Sequence, residues 1–243
     1  MTQIKASLFA TCIVDQLFPD VGVSVVKILR HLGVEVDFPK GQTCCGQAVF
    51  NSGFTKDAAA LGKRVLSDFK DSEYVIVPSG SCAAMMKVFY PQLFHNDQQH
   101  HRDAQNLSTR IYEFSEFITT ILGITDVGAT FKKKIAYHPS CHLLRELEVK
   151  DGPRELLQNV KEIDLKELQD AEECCGFGGT FSVKYPHISG VMLDKKIDNI
   201  IESGAEIITA CDTSCLMHME GSLSRRRTNI QSMHIAQILS EGL

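Results

Sequence analysis

The 243-residue sequence has no apolar run near the roughly 20 residues that a helix needs to cross a bilayer. Its first stretch, MTQIKASLFATCIVD, has too short an apolar segment for a secretory leader and meets Asp15 directly. These absences set the expectation of a cytoplasmic protein with no membrane span. Positive charge is not in excess either. Lys and Arg number 25 against 30 Asp and Glu, and the net charge of -5 gives nucleic acid or an anionic membrane surface no electrostatic hold. The short run Arg225–Arg227 reads as a solvated loop. No Gly-rich phosphate motif is present, since Gly176-Phe177-Gly178-Gly179 lacks the strand-to-helix spacing of a dinucleotide fingerprint. No NAD or flavin site is therefore expected.

Cysteine, by contrast, is plentiful. Nine cysteines are many for a cytosolic chain, where thiols are kept reduced and a disulfide framework is not expected. Nine is also odd, which leaves one thiol over. Metal binding or thiol chemistry is the reading that follows.

The cysteines fall in a repeat. A short apolar strand precedes Cys12 in IKASLFATCIVD and Cys141 in KKIAYHPSCHLL. A helix pattern follows, VGVSVVKILRHLG or GPRELLQNVKEI, and then a vicinal pair: Cys44-Cys45-Gly46 or Cys174-Cys175-Gly176. A second helix pattern follows each, KDAAALGKRVLSDFK or ISGVMLDKKIDNIIES, with apolar residues three and four apart. A buried strand then leads into a turn, SGSCAAMM with Cys82 or DTSCLMHM with Cys215, and an amphipathic segment closes each half. Thirty-one residues lie between Cys12 and Cys44 and 32 between Cys141 and Cys174; 36 lie between Cys45 and Cys82 and 39 between Cys175 and Cys215. We read a tandem duplication, residues 1–122 and 123–243, with its joint near Gly123–Lys134. Alternating strands and helices predict an α/β architecture of two pseudo-symmetric Rossmann-like repeats with mostly parallel sheets. The cysteine loops are then placed at the strand carboxyl ends, where such sheets build their sites. Residues 94–108, with His100 and His101, read as an exposed loop.

Adjacent side chains of a strand point to opposite faces, so vicinal cysteines serve one centre only from a tight loop or a helix's first turn. Gly46 and Gly176 supply the backbone freedom and let the chain pass close to a bulky group. Anionic sulfur favours backbone N–H donors and helix N-termini, which also lower thiol pKa values. Four thiolates per half, from Cys12, Cys44, Cys45 and Cys82 and from Cys141, Cys174, Cys175 and Cys215, suit an iron–sulfur cluster or a structural zinc ion. The scatter of ligands over each half favours the larger group over the single ion.

At these residues the sequence resembles the cysteine-rich CCG domain family, whose pattern is a Cys, then Cys-Cys-Gly, then Cys-x-x-Cys, often in tandem. Relatives include the heterodisulfide reductase B subunit and the iron–sulfur subunits of glycolate oxidase and anaerobic glycerol-3-phosphate dehydrogenase. TCCGQAVFNSG and ECCGFGGTFSVKYP are most similar to its lactate-utilising branch. The resemblance covers essentially the whole chain. It implies an electron-transfer role in oxidising L-lactate to pyruvate, through one [4Fe-4S]-type cluster per repeat. Two companion redox proteins are implied, one with ferredoxin-type clusters. In the heterodisulfide reductase relatives, five cysteines per motif hold non-cubane clusters. This chain departs from that pattern: Ser79 stands three before Cys82 and Asp212 three before Cys215. A cubane cluster, or one with Ser79 or Asp212 as an oxygen ligand, are the alternatives that follow. A zinc-stabilised assembly module and a thiol–disulfide reductase are the competing functions.

Around the cysteines, His138 and His142 bracket Cys141 and read as an added ligand or a donor to the ligands, a proton carrier, a substrate contact, or ordinary hydrogen-bonded loop residues. His218 and the methionines Met85, Met86, Met217 and Met219 read as packing, and Arg145 as a surface residue. Cys211, the odd thiol, lies four residues before Cys215 and matches Pro78 in the repeat, so it reads as a buried strand residue rather than a fifth ligand.

Overall fold

A computed structural model describes residues 3–243. The first half runs β1 (Lys5–Leu8), α1 (Cys12–Leu17), α2 (Pro19–His31), β2 (Glu35–Asp37), α3 (Gln47–Asn51), α4 (Thr55–Asp68), β3 (Tyr74–Val77) and α5 (Gly80–Ala84). A π-helical turn, Met85–Phe89, then joins α5 to α6 (Tyr90–Leu93), followed by α7 (Gln98–Ser108), β4 (Ile111–Glu113) and α8 (Phe114–Glu116), which continues as a π turn over Phe117–Ile121. The second half repeats the plan. It runs β5 (Lys134–His138), α9 (Cys141–Arg145), α10 (Gly152–Gln158), β6 (Asp164–Lys166), α11 (Phe181–Lys184), α12 (Pro186–Glu202), β7 (Ile207–Ala210), α13 (Thr213–Arg225), β8 (Gln231–His234) and α14 (Ile235–Leu239).

Each half builds a four-stranded sheet, ordered β2-β1-β3-β4 and β6-β5-β7-β8, and every strand pair in both is parallel. The α/β, pseudo-symmetric architecture expected from the repeat is thus present, with the sheets wholly parallel. Parallel strands need crossover connections, which the intervening helices supply. The strand order reverses between β1 and β3, and again between β5 and β7. At such a switch point the connections leave on opposite faces and open a crevice beyond the strand ends. Cys12 and Cys82 follow β1 and β3; Cys141 and Cys215 follow β5 and β7.

The halves share one core. Leu8, Ile28, Ile76, Phe114 and Phe117 of the first pack with Ile135, Tyr137, Leu143, Leu157, Ile207 and Ile238 of the second, all buried. The contacts obey the pseudo-twofold: α2 packs on α14 as α8 packs on α10, and α1 meets α13 as α5 meets α9. The opposite sheet faces carry separate clusters, one around Val65, Val75 and Met86, the other around Ile197, Ile208 and Met219.

Three local expectations are corrected. Residues 94–108 are not a loop: Asp97 caps α7 by accepting from the His100 amide, and Ala104 and Leu107 bury its inner face. The closing amphipathic segments each split into an edge strand and a helix, β4 with α8 and β8 with α14. The Arg225–Arg227 run begins at the last turn of α13, and Arg226 ion-pairs with Asp194 and Asp198. Arg145 is exposed, as expected of a surface residue, and donates from Nη2 to the Glu172 carbonyl at 3.1 Å, in the segment leading into Cys174.

At the strand–helix junctions Glu113 and His234 occupy equivalent places, each closing a capping box. Glu113 is fully buried; its Oε2 accepts from the Ser115 amide at 2.8 Å, while its Oε1 has no partner. Burial pushes its carboxyl up to about 8 from 4.5. The folded state therefore holds a proton that the unfolded chain has released, and this group's contribution to stability falls as pH rises from 4.5 to 8. Buried His138 and His234 are depressed to about 4 from 6.5, so their contribution rises with pH, opposite in sign to that of Glu113, and is common to the parent and a Glu113 variant. Glu113→Gln should gain stability relative to the parent as pH rises from 6.5 to 8, read by denaturant midpoints. A difference that stays constant over that interval would contradict the assignment.

Candidate metal centres

The structure gathers the eight expected cysteines into two groups of four, one at each switch point. Cys12 Sγ lies 3.7 Å from Cys44 Sγ. Cys44 also contacts Cys45, and Cys45 contacts Cys82. The second half repeats the series: Cys141 to Cys174, Cys174 to Cys175, Cys175 to Cys215. In each group the inner pair is buried, Cys45 with Cys82 and Cys175 with Cys215. The outer pair faces outward: Cys12 is exposed, and Cys44, Cys141 and Cys174 are half-buried.

Local sequence explains the convergence. Cys12 and Cys141 open α1 and α9, and Cys82 and Cys215 sit in the first turns of α5 and α13. Gly46 and Gly176 have φ of 83° and 86°, a left-handed conformation that folds each vicinal pair into a turn. A Cβ at Gly176 would meet the Ser189 carbonyl at 2.8 Å. Their amides donate to Cys44 Sγ at 3.4 Å and to Cys174 Sγ at 3.3 Å. Thr11, just before Cys12, takes φ 42°, a strained value for a β-branched residue.

Four crowded thiols do not ionise independently. Cys44 is held at about 2, first by the Cys12 thiol that donates to it, then by Cys45 and the Gly46 amide. Cys174 is held at about 2 by Cys141, Cys175 and the Gly176 amide in the same order of effect. The neighbours Cys12, Cys45, Cys141 and Cys175 are all pushed up, because each donates to a neighbouring thiolate and loses part of its hydration beside it. A cation that takes all four sulfurs relieves this conflict, so the donor sets fit a metal centre. A cavity of about 260 Å³ lies against the first group, walled by its four cysteines and by Phe177, Gly179, Thr180 and Val183 of the second half. The second repeat thus roofs the first group.

Ser79 and Asp212, the positions in place of the missing cysteines, meet on the pseudo-twofold as an antiparallel bridge. Asp212 caps α13, its Oδ1 accepting from the Ser214 amide at 3.1 Å. Its Oδ2 reaches the other half and accepts from the Ser81 amide at 2.8 Å and from Ser79 Oγ at 3.1 Å. Ser79 Oγ in turn accepts from the Cys82 amide at 3.4 Å. Cys211 lies just past β7 in the shared core, 3.8 Å from Ser115 Oγ and 3.9 Å from Tyr137 Oη.

The two surroundings differ. His142 Nδ1 is 3.6 Å from Cys141 Sγ, and its Nε2 is 3.3 Å from Gln47 Nε2 of the first half. His218 Nε2 is 3.3 Å from Ser189 Oγ, which donates to the Gly176 carbonyl at 2.8 Å. His138 is fully buried, with a nitrogen, Cys175 Sγ and Cys215 Sγ all within 4.8 Å of one another. Sequence reading missed two supports. Tyr90 Oη donates to the Cys45 carbonyl at 2.8 Å, and the buried Lys196 Nζ donates to the Asp170 and Ala171 carbonyls at 2.8 and 3.1 Å. A lysine inside an apolar helix stripe was the one available signal for the second.

The fold and the two thiol groups define a tandem cysteine-rich α/β protein. A family model described as a cysteine-rich domain, CCG, matches twice, over residues 6–87 and 135–220. The chain belongs to this CCG cysteine-rich domain family. It is 47% identical to lactate utilization protein A of Oceanobacillus iheyensis, over 98% of this chain and 97% of that one. It is 45% identical to lactate utilization protein A 1 of Bacillus anthracis, over 99% of both. Among solved structures, glutamate racemase from Francisella tularensis is 10% identical with a TM-score of 0.36, over 99% of this chain and 79% of that one, too remote to bear on function.

Two outcomes follow. Cys44→Ala and Cys174→Ala should each lower bound metal after anaerobic loading by about half, by elemental analysis; loss of all metal in either would mean one shared centre. Asp212→Asn replaces an acceptor oxygen with an N–H donor facing a donor on one side. It should cost about 1–3 kcal/mol in denaturant unfolding, and an unchanged midpoint would remove Asp212 as the tie between the halves.

Proposed function

We propose that the chain is an iron–sulfur electron-transfer subunit of a multi-protein system that oxidises L-lactate, or a similar 2-hydroxy acid, to the keto acid. The observation that carries this reading is the doubled group of four thiols at equivalent switch points, each with a buried pair and an outward pair. The near full-length likeness to proteins named for lactate utilization supports the substrate. Cys12, Cys44, Cys45 and Cys82 would hold one [4Fe-4S]-type cluster and Cys141, Cys174, Cys175 and Cys215 the other, one for each of the units 1–122 and 123–243.

Such clusters, when bound, carry single electrons. The chain's own residues do the rest. Gly46 and Gly176 amides donate to ligand sulfurs and lower the cost of their negative charge. Ser79 and Asp212, whose oxygens are taken up by helix caps and by each other, position Cys82 and Cys215. Phe177 and Val183 cover the first group with apolar surface, while exposed Cys12 leaves an edge for a docking protein. Oxidation of a 2-hydroxy acid releases two electrons and two protons, so the substrate step belongs to a companion and this chain relays what it yields. One companion is expected to carry ferredoxin-type clusters. No helix among the described residues is long and apolar enough to cross a membrane, and a cytoplasmic site of action is part of the proposal.

The test is anaerobic, lactate-dependent reduction of an artificial acceptor. The purified chain alone should give no turnover, and turnover should appear once the companion proteins are added. Loss of Cys44 or Cys174 should abolish it. Turnover by the chain alone would refute the subunit role, and stoichiometric zinc without sulfide after anaerobic purification would replace it with an assembly module.

A further inference from the structure

The two centres occupy equivalent places in the repeat, yet their walls are not equivalent. Aligned on Cys12 and Cys141, position 9 matches position 138. In the first half this is Phe9, fully buried and packed 5.6 Å from Phe69 in an apolar cluster with Cys45 and Cys82. In the second half it is His138, the last residue of β5, equally buried. Neither of its ring nitrogens makes a well-formed hydrogen bond, and the nearest backbone acceptor is the Ala171 carbonyl, which already accepts from Lys196 Nζ. Buried polar groups are ordinarily satisfied, and an unpaired imidazole in the core is a cost that calls for a partner.

Three histidines surround the second group of thiols. His142 has one nitrogen near Cys141 Sγ and the other near Gln47, and His218 has its Nε2 at Ser189. Only His138 among them has both nitrogens without a well-formed hydrogen bond, and it is the one within 4.8 Å of the two buried sulfurs. A neutral imidazole carries one nitrogen with a lone pair to offer.

We infer that a His138 ring nitrogen is a ligand of the second centre alone, so that the second centre has four thiolates and one imidazole while the first has four thiolates. The inference rests on the iron–sulfur reading. It gives that reading a chemical difference between the halves: a neutral nitrogen donor enters one centre, and a phenyl ring fills the same place beside the other. Imidazole and thiolate impose different charge on iron, so the two centres are expected to be spectroscopically distinct.

The test uses the full chain, grown with histidine carrying ¹⁵N in the imidazole ring and loaded anaerobically with iron and sulfide. Metal and sulfide analysis comes first. Pulsed electron paramagnetic resonance of the paramagnetic form should then show a directly coupled, label-sensitive nitrogen on one of two centres. His138→Phe, which copies the first half, should abolish that coupling with the first centre's signal unchanged, and His142→Gln and His218→Gln should retain it. Two loaded centres without coupled imidazole nitrogen in the parent would overturn the ligand and leave the iron–sulfur reading standing; coupling that survives His138→Phe would overturn it as well. Zinc in place of iron and sulfide would overturn both. If His138→Phe fails to fold, the labelled parent with the two other variants still decides, since coupling retained in both leaves His138 as its source.

Discussion

One buried carboxylate sets the frame in which both cysteine groups stand. Asp212 accepts from the first turn of its own helix, α13, and from Ser79 and Ser81 at the start of α5 in the other half. Cys215 and Cys82 ride in those two first turns. A shift of Asp212 would move a thiol in each half, and its burial leaves it little water to fall back on. The Gly80 amide adds a 3.2 Å bond to the Cys211 carbonyl across the same junction, and a Cβ at Gly80 would meet Leu143 at 2.8 Å. Close approach, not bulk, holds the two halves in register here.

Much of this was legible in the sequence because the repeat is written in residues that seldom recur by accident. Cys-Cys-Gly twice, with matched distances to a preceding and a following cysteine, located the duplication and the strand ends. The apolar runs YVIV and IITA announced the central strands. The edge strands β2 and β6 were not legible: EVD and DLK are three residues long and bury no side chain fully, so no apolar run marks them. The strand content of the closing segments hid behind the helices that follow, since Glu113 and His234 end a strand and cap a helix in the same step. The α7 helix hid in a polar stretch where only Ala104 and Leu107 face inward.

The partners of Asp212 lay beyond any reading of sequence, because they come from residues some 130 positions away. Its identity was visible and its place before Cys215 was noted, yet whether its oxygens face a metal or a backbone depends on how the halves dock. The same holds for His138, whose neighbours Cys175 and Cys215 arrive from two other loops. Local pattern fixes what a residue can offer; docking decides to whom.

Ser79 and Asp212 occupy one position of the repeat and face each other across its axis. A symmetric dimer of a single repeat places identical residues on its twofold. Two serines there would offer no carboxylate for both helix starts, and two aspartates would set like charges together in the core. Joining the copies in one chain lifts that identity requirement, so one side can become the donor and the other the acceptor. The bond on the axis is thus one that only a fused, no longer symmetric pair can make, and once made it is a reason for the copies never to separate again.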